Sequence, residues 1–438
     1  INVGLVGSEM CIRDSLDSLR NYLRPQILGI MCLGFVSGVP YGILMDPLNY
    51  WLSEEGIQKS TIGLLSLVFL TYSLKVFWAP LVDRLKLPGI NFLGQRKSWL
   101  FLSQFITGLI ILWISFVDPK ESLDLFVYLI LAIGFFSATQ DICTDALRIE
   151  LVEKKELGEA SAVFVIGWRI GAILLSGVAT FYLAELYGWQ SAYQFIGLSV
   201  ILLSIVFLIF LKEPIREIRP PKDIFTQPAE WFKDSFFEPL RDIYQRYKNH
   251  LILLLFLIFT YRLSDMFLGP MAMPFYRETG FTKIEVAEIT NFYGLIMTIL
   301  GALFAGASVF RFGLAKNLVA GAILTPLTNL PFIYLNMIGH DVNFLIVTIT
   351  LDNFTQGFVN VMGVTILGTI VSKTYTATQF ALLVALVSIP PRIISGSSGM
   401  IVDSMGFHEF FIICAVLGIP AIIFSALAYR NRNELGFE

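Results

Sequence analysis

Eight ionisable side chains interrupt otherwise apolar runs of this sequence: Lys75, Asp141, Asp145, Arg169, Arg262, Asp265, Asp352 and Arg392. Charges inside a bilayer are costly, so each marks a pathway, a proton relay or a structural pair. Two kinds of chemistry suit these residue types. Arginine presents a planar fork that meets a carboxylate bidentately. Arg169, Arg262 and Arg392, with Lys75 and the amides Gln140, Asn353 and Gln356, are therefore candidates to bind a polar, anionic cargo. An aspartate withdrawn from water is pulled toward its protonated form by burial and toward its charged form by a nearby arginine, so cargo that displaces the arginine could couple the two events. That assigns proton coupling to Asp141, Asp145, Asp265 and Asp352. The competing account is architectural: each acid pairs with a basic neighbour and fixes the register of two helices.

These residues must be carried by membrane-spanning helices. Of the 438 residues, 55% are hydrophobic and only 15% are charged, which excludes an ordinary soluble domain. Windows of about 20 apolar residues recur along the chain. They place twelve spans near 27–46, 62–82, 99–117, 124–146, 160–185, 191–211, 251–275, 289–310, 317–338, 342–370, 377–402 and 408–429. At about 1.5 Å per residue, Arg169, Arg262 and Asp352 fall roughly 14–18 Å deep, near the midplane. Arg262 and Asp265 are three apart and Asp141 and Asp145 four apart, so each pair shares a helical face, and Arg148 follows Asp145 by three. Twenty-three of the 31 Lys and Arg residues lie on the side that holds both termini, while the other side has only Lys59, Lys120, Arg277 and Lys283. Basic residues are retained in the cytoplasm, so both termini are expected there.

The longest polar stretch, 212–250, divides the spans six and six. It carries Pro214, Pro220, Pro221, Pro228 and Pro239 among mixed charges, which is linker chemistry. Its second half suits either a short helix lying on the inner membrane face or a solvated segment with aromatic anchors. The expected division is 1–15 outside the fold, 16–211 as one six-helix bundle, 212–250 as linker, 251–429 as the second bundle and 430–438 as a cytoplasmic tail. Ile1–Ser15 lacks the continuous apolar core of a signal peptide, and Val6–Ser15 reads as a cloning or sequencing scar. An internal repeat relates the halves. Arg169 is followed by a small-residue stripe and then Glu185 and Gly188-Trp189, and Arg392 by a similar stripe and then Asp403 and Gly406-Phe407. Gln140-Asp141 corresponds to Asp352-Asn353, so Asp141 is expected beside Arg169 and Asp352 beside Arg392.

Other chemistries find no support. Cys11, Cys32, Cys143 and Cys414 have no metal-ligand spacing, and His250, His340 and His408 stand singly. No Gly-rich phosphate loop, Ser-His-Asp order or HExxH occurs. The chain is read as a non-enzyme without metal or cofactor, the proton being the coupling ion, and with no nucleic-acid partner. Tyr41, Tyr72, Trp168, Tyr261 and Tyr293 could stack on sugar rings, but most aromatics in such a chain are packing. Gly34, Gly38 and Pro40, and Pro390 and Pro391, read as close packing and a kink.

Several stretches together resemble one family. They are Gly34-Phe-Val-Ser-Gly-Val-Pro40, Lys75-Val-Phe-Trp-Ala-Pro-Leu-Val-Asp-Arg84, Ser137-Ala-Thr-Gln-Asp-Ile142 with Asp145, Gly167-Trp-Arg169, Tyr261-Arg-Leu-Ser-Asp265, Asp352-Asn353 and Ala377-Thr-Gln-Phe-Ala-Leu-Leu383. From about residue 25 to 430 the chain resembles the AmpG muropeptide permeases of the major facilitator superfamily. Pro80-Leu-Val-Asp83-Arg84 followed by Gly94-Gln95-Arg96-Lys97 is similar to a stretched form of that superfamily's loop signature. It implies gating by Asp83, Arg84 and Arg96, with Asp83 at the N-terminal dipole of span eleven. The resemblance implies an all-α integral membrane protein of the major facilitator fold, with twelve transmembrane helices in two pseudo-symmetric six-helix bundles. It further implies proton-driven uptake of anhydromuropeptides, GlcNAc-anhydroMurNAc with or without peptide, by a monomer in the bacterial inner membrane. Two alternatives stand beside it: a carrier of another large anion, such as a coenzyme A ester or a folate, and a non-transporting assembly protein of the same fold.

Overall fold

The computed structural model describes residues 24–84, 87–90, 93–152, 157–210, 213, 237–371 and 376–437, without the side chains of Pro80, Asp83, Arg84, 157–159, Phe210, Pro239, 376–378 and 380–382. Among the described residues every regular element is helical. Ten stretches are long and apolar enough to cross a membrane. One of these, Ala160–Ile209, contains two of the expected spans, separated at Gly188. Val342–Ile370 is a 29-residue helix outside the ten, and it carries Asp352, Asn353 and Gln356. Taken together these account for the twelve expected spans. The eighth begins at Lys283 rather than 289, because Thr282 and Glu285 form a reciprocal capping box there.

The helices group into two compact units. The first comprises residues 1–47 and 75–216, the second 48–74 and 217–438. Segment 48–74, which follows the first span and includes most of the second, thus packs with the second unit. In the first unit, Gly34, Gly38 and Gly42 of Pro25–Ile43 face the backbone of Phe164, Trp168 and Ala172, while Gly167 and Gly171 face Met31 and Phe35. Small residues every four positions let two backbones meet where lipid offers no hydrophobic drive for association. In the second unit Gly301 faces Phe354 and Gly357 faces Thr298 in the same way, joining Gly294–Phe312 to Val342–Ile370. Gly399 faces Lys59, and this contact is fastened by Ser60 N donating to Asp403 Oδ2 at 2.7 Å and by Lys59 Nζ lying 2.6 Å from Glu278.

Within the linker, Glu238–Tyr247 is helical. Its Ile243 is buried in the core of the second unit, whereas Phe237, Leu240 and Tyr244 are exposed. Arg246 holds the helix in place by donating to the Ile370 carbonyl at 2.8 Å and to Gln379 Oε1 at 3.2 Å.

The Gly-aromatic marks of the repeat have a common backbone. Gly188 has φ 81° and ψ 163°, and Gly406 has φ 87° and ψ 176°. This region is open essentially to glycine alone. Gly188→Ala and Gly406→Ala should each destabilise the purified protein by about 1–3 kcal/mol, measured as a lower thermal midpoint in detergent. Gly269→Ala, in a helix with open space around it, should leave the midpoint unchanged or raise it.

Candidate functional site

Three of the four cations within the expected spans sit where the helix departs from regular α geometry, and the fourth, Arg392, follows a proline pair inside its helix. Lys75 opens a 3-10 turn, Lys75–Phe77, between Leu70–Leu74 and Ala79–Arg84. Arg169 ends an α-helix at the start of a π-helical run, Ile170–Ala179. Arg262 is non-helical, with φ −118° and ψ 5°, and separates Leu251–Tyr261 from Leu263–Thr279. Arg392 follows Pro390 and Pro391 and precedes the end of its helix at Ser395. Helix irregularities of this kind recur at functional positions in membrane proteins, because irregular backbone is tolerated there only inside protein or beside a cavity.

In the first unit four charges form one matched cluster. Lys75 Nζ lies 3.2 Å from Asp141 Oδ2 and 3.0 Å from Asp145 Oδ2, and Arg148 lies 3.5 Å from Asp145 Oδ1. Ser37 donates to Asp141 Oδ1. Asp141 thus pairs with Lys75, and among the described residues it makes no salt bridge with Arg169. The reason is the 3-10 turn, which presents the ammonium to both acids of Leu123–Glu150. Arg169 is part-exposed and has no described ion pair. Gln140 is fully buried and donates to the Val36 carbonyl at 3.0 Å, so its amide sits in a helix–helix contact. Trp168 packs on Tyr41 with centroids 5.2 Å apart.

Arg96 is buried, and its guanidinium reaches Glu150 at 3.5 Å. The backbone N–H groups of Arg96 and Lys97 donate to the two oxygens of Glu213 at 3.0 and 3.1 Å, so a carboxylate caps the start of Gln95–Ile114. The side chains of Asp83 and Arg84 lie outside the described set.

In the second unit Arg262, Asp265, Asp352 and Arg392 make no salt bridge among the described residues. Arg262 is the non-helical N-cap of the helix that carries Asp265, and the expected i, i+3 salt bridge is absent among the described residues; Arg262 Nε and Asp265 Oδ2 are both buried without a hydrogen-bond partner. Asp352 is 7% exposed and accepts from Gln356 Nε2 at 3.2 Å; no described cation bridges it. The expected partner, Arg392, instead donates to the Phe69 carbonyl at 2.6 Å and lies over the Phe69 ring at 5.5 Å. Asn353 turns to the neighbouring helix, where its Oδ1 accepts from Thr298 at 3.2 Å. Tyr261 is buried and donates to the Leu318 carbonyl at 3.3 Å, and Tyr293 pairs with Thr350 at 2.7 Å. Tyr72 lies beside Phe69.

Arg262 lines a cavity of ≈ 290 Å³ whose walls include Ile258, Met266, Val364, Val387, Asn360 and Ser388. Such an arrangement, largely apolar with a few convergent polar groups, is that of a small-molecule site. Asn360 and Ser388 escaped the reading of the sequence, as did Ser37. Two of them carry a signal in their spacing. Asp352, Gln356 and Asn360 recur every four residues, and Ser388 precedes Arg392 by four, so each extends a polar face already recognised.

The spanning helices, the breaks at intramembrane arginines and the apolar cavity against one of them define a polytopic membrane transporter. The Major Facilitator Superfamily pattern matches residues 28–261 and 254–435. The chain is 35% identical over 410 residues to "Putative transporter AmpG 4" of Rickettsia felis, covering 93% of this chain and 97% of the relative. It is 30% identical over 422 residues to "Anhydromuropeptide permease" of Escherichia coli K12, covering 95% and 83%. Among solved structures, a bacterial homologue of the human lysosomal transporter Spinster, inward-facing and unoccupied, has a TM-score of 0.69 at 15% identity, with 94% of this chain and 97% of that one covered. The chain belongs to the Major Facilitator Superfamily, among its AmpG-type transporters, and is a transporter rather than an enzyme.

The shared lysine gives a direct test of the pairing in the first unit. Lys75→Met leaves two carboxylates one turn apart with only Arg148 nearby, and should lower the thermal midpoint. Adding Asp141→Asn should restore part of the loss, with a coupling energy of about 0.5–3 kcal/mol in a double-mutant cycle. Additive effects would mean that the contact contributes nothing.

Proposed function

We propose that this transporter imports anhydromuropeptides, GlcNAc-anhydroMurNAc with or without peptide, from periplasm to cytoplasm together with protons. It does so as a monomer in the bacterial inner membrane, with both termini cytoplasmic. The observation that carries the proposal is Arg262, a cation without a salt bridge among the described residues, which stands at a break between helices and lines a largely apolar cavity. A part-buried cation without a described partner anion is costly within a span, and an anionic cargo would supply the partner. Peptide carboxylates meet Arg262, amide and hydroxyl groups meet Asn360 and Ser388, and the apolar walls receive acetyl and lactyl methyl groups. The name of the Escherichia coli relative supports this cargo, and the distribution of basic residues supports the orientation.

The unequal charge balance supports a place for the proton in the second unit. Asp141 and Asp145 share Lys75 and Arg148, so their charges are answered. Asp265 and Asp352 have no described cation within salt-bridge distance, and a proton answers them instead. Cargo entering beside Arg262 draws that guanidinium's field onto its own carboxylate, which favours protonation of the neighbouring acids. Release of cargo reverses the sequence on the cytoplasmic side.

Right-side-out vesicles from a strain without its own permease test this reading. Labelled disaccharide should accumulate under an acid-outside gradient and leak away when a protonophore is added; accumulation indifferent to the protonophore would sink the coupling. Arg262→Ala should reduce uptake at least about tenfold while the protein still inserts. Asp352→Asn should retain exchange of labelled for unlabelled cargo but lose accumulation against a gradient. Competition by a coenzyme A ester or a folate, with none by the disaccharide, would reassign the cargo.

A further inference from the structure

A second cavity, of ≈ 380 Å³, lies at one end of the second unit, far in sequence from the transport residues. It is lined by Phe312, Lys316, Tyr429, Arg432, Asn433 and Phe437, with two backbone-facing residues between them. Its charged side chains are both cationic. Arg432 is held in place: it donates to the Tyr429 carbonyl at 3.2 Å and its guanidinium lies over the Tyr429 ring at 4.8 Å. Lys316 is exposed and makes no ion pair with a described acid. The wall is fastened rather than loose. Ala315 N donates to the Phe437 carbonyl at 3.2 Å, Phe437 N donates to the Arg432 carbonyl at 2.9 Å, and Leu435 and Phe437 are buried in the core. Glu434, the acid that could neutralise the pair, is drawn aside to His250 Nε2 at 2.5 Å.

The surroundings point to a lipid. Arg311 and Arg430 are exposed at the ends of the same spans, adding cations without a described ion pair. Leading to the cavity, Gly294–Phe312 exposes Leu303, Phe304, Phe310 and Phe312, with Phe310 94% exposed. An apolar face that ends in aromatic rings and cations has the profile of a span crossing from acyl chains to headgroups. Basic pockets between spans at that level suit anionic headgroups. We propose that this cavity binds the phosphate of an anionic bilayer lipid, through Lys316 and Arg432, with the acyl chains lying along Gly294–Phe312. The orientation proposed above decides only which leaflet supplies the lipid; the site itself does not depend on it.

The test uses the full-length protein purified in a neutral detergent, titrated with phosphatidylglycerol, phosphatidylcholine or inorganic phosphate, and read by native mass spectrometry and thermal midpoint. Phosphatidylglycerol should be retained and raise the midpoint, whereas phosphatidylcholine and inorganic phosphate should not. Lys316→Gln with Arg432→Gln should weaken phosphatidylglycerol binding roughly 25-fold, taking about fivefold per cation. Should the double variant fail to fold, Lys316→Gln alone, at an exposed position, should weaken it about fivefold. Undiminished binding by the folded variants would overturn the proposal, as would equal retention of phosphatidylcholine. An equal effect of inorganic phosphate would show a free-anion site in place of a lipid site. Each readout is of binding, so failure here leaves the transport proposal untouched, and failure of uptake leaves this one untouched.

Discussion

A polar group inside hydrocarbon has no water to turn to, and this constraint organises the whole molecule. It explains why backbones meet through Gly34, Gly38 and Gly42, where a methyl would intrude on a carbonyl. It explains why serines and threonines within the spans return their hydroxyls to carbonyls three or four residues back, as Thr260 does to Phe256 and Ser388 to Val384. It also explains why the first unit's charges come as a set: two acids, a lysine and an arginine within one cluster. Arg262 and Asp265 are among the residues that keep a buried polar atom without a described partner, and Asp352 has an amide beside it but no described cation.

The two units meet the constraint in different ways. In the first, matched charges fix one helix against another, and such a pair contributes specificity more than stability. In the second, the arginine stands at a break at the start of its helix, and among the described residues it forms no salt bridge with the acid three residues on.

The architecture was legible because it rests on signals that local sequence carries. Span length, the distribution of basic residues and the small-residue stripes were all visible, and Gly188-Trp189 and Gly406-Phe407 marked corresponding bends. The partnerships were not legible. Counting residues along ideal helices pairs Arg262 with Asp265, and alignment of the halves pairs Asp141 with Arg169 and Asp352 with Arg392. Each of these assumes regular geometry at positions where the chain is a 3-10 turn, a π run, a break or a proline pair. None of those departures has a local signature beyond Pro390 and Pro391. The polar positions that went unnoticed, Asn360 and Ser388, sit on regular helix, where the four-residue period would have found them.

The grouping of 48–74 with the second unit changes what the linker means. The chain passes from one unit to the other at 47/48, returns at 74/75 and crosses again in the linker. The units are thus joined by three covalent passages. A protease that cut one bond between 214 and 236 would leave the fragment carrying the first unit with both ends of a strap that belongs to the second. For the same reason, a gene split at the linker would not produce two self-sufficient halves, because the first fragment would carry away a segment on which the second fragment's packing depends.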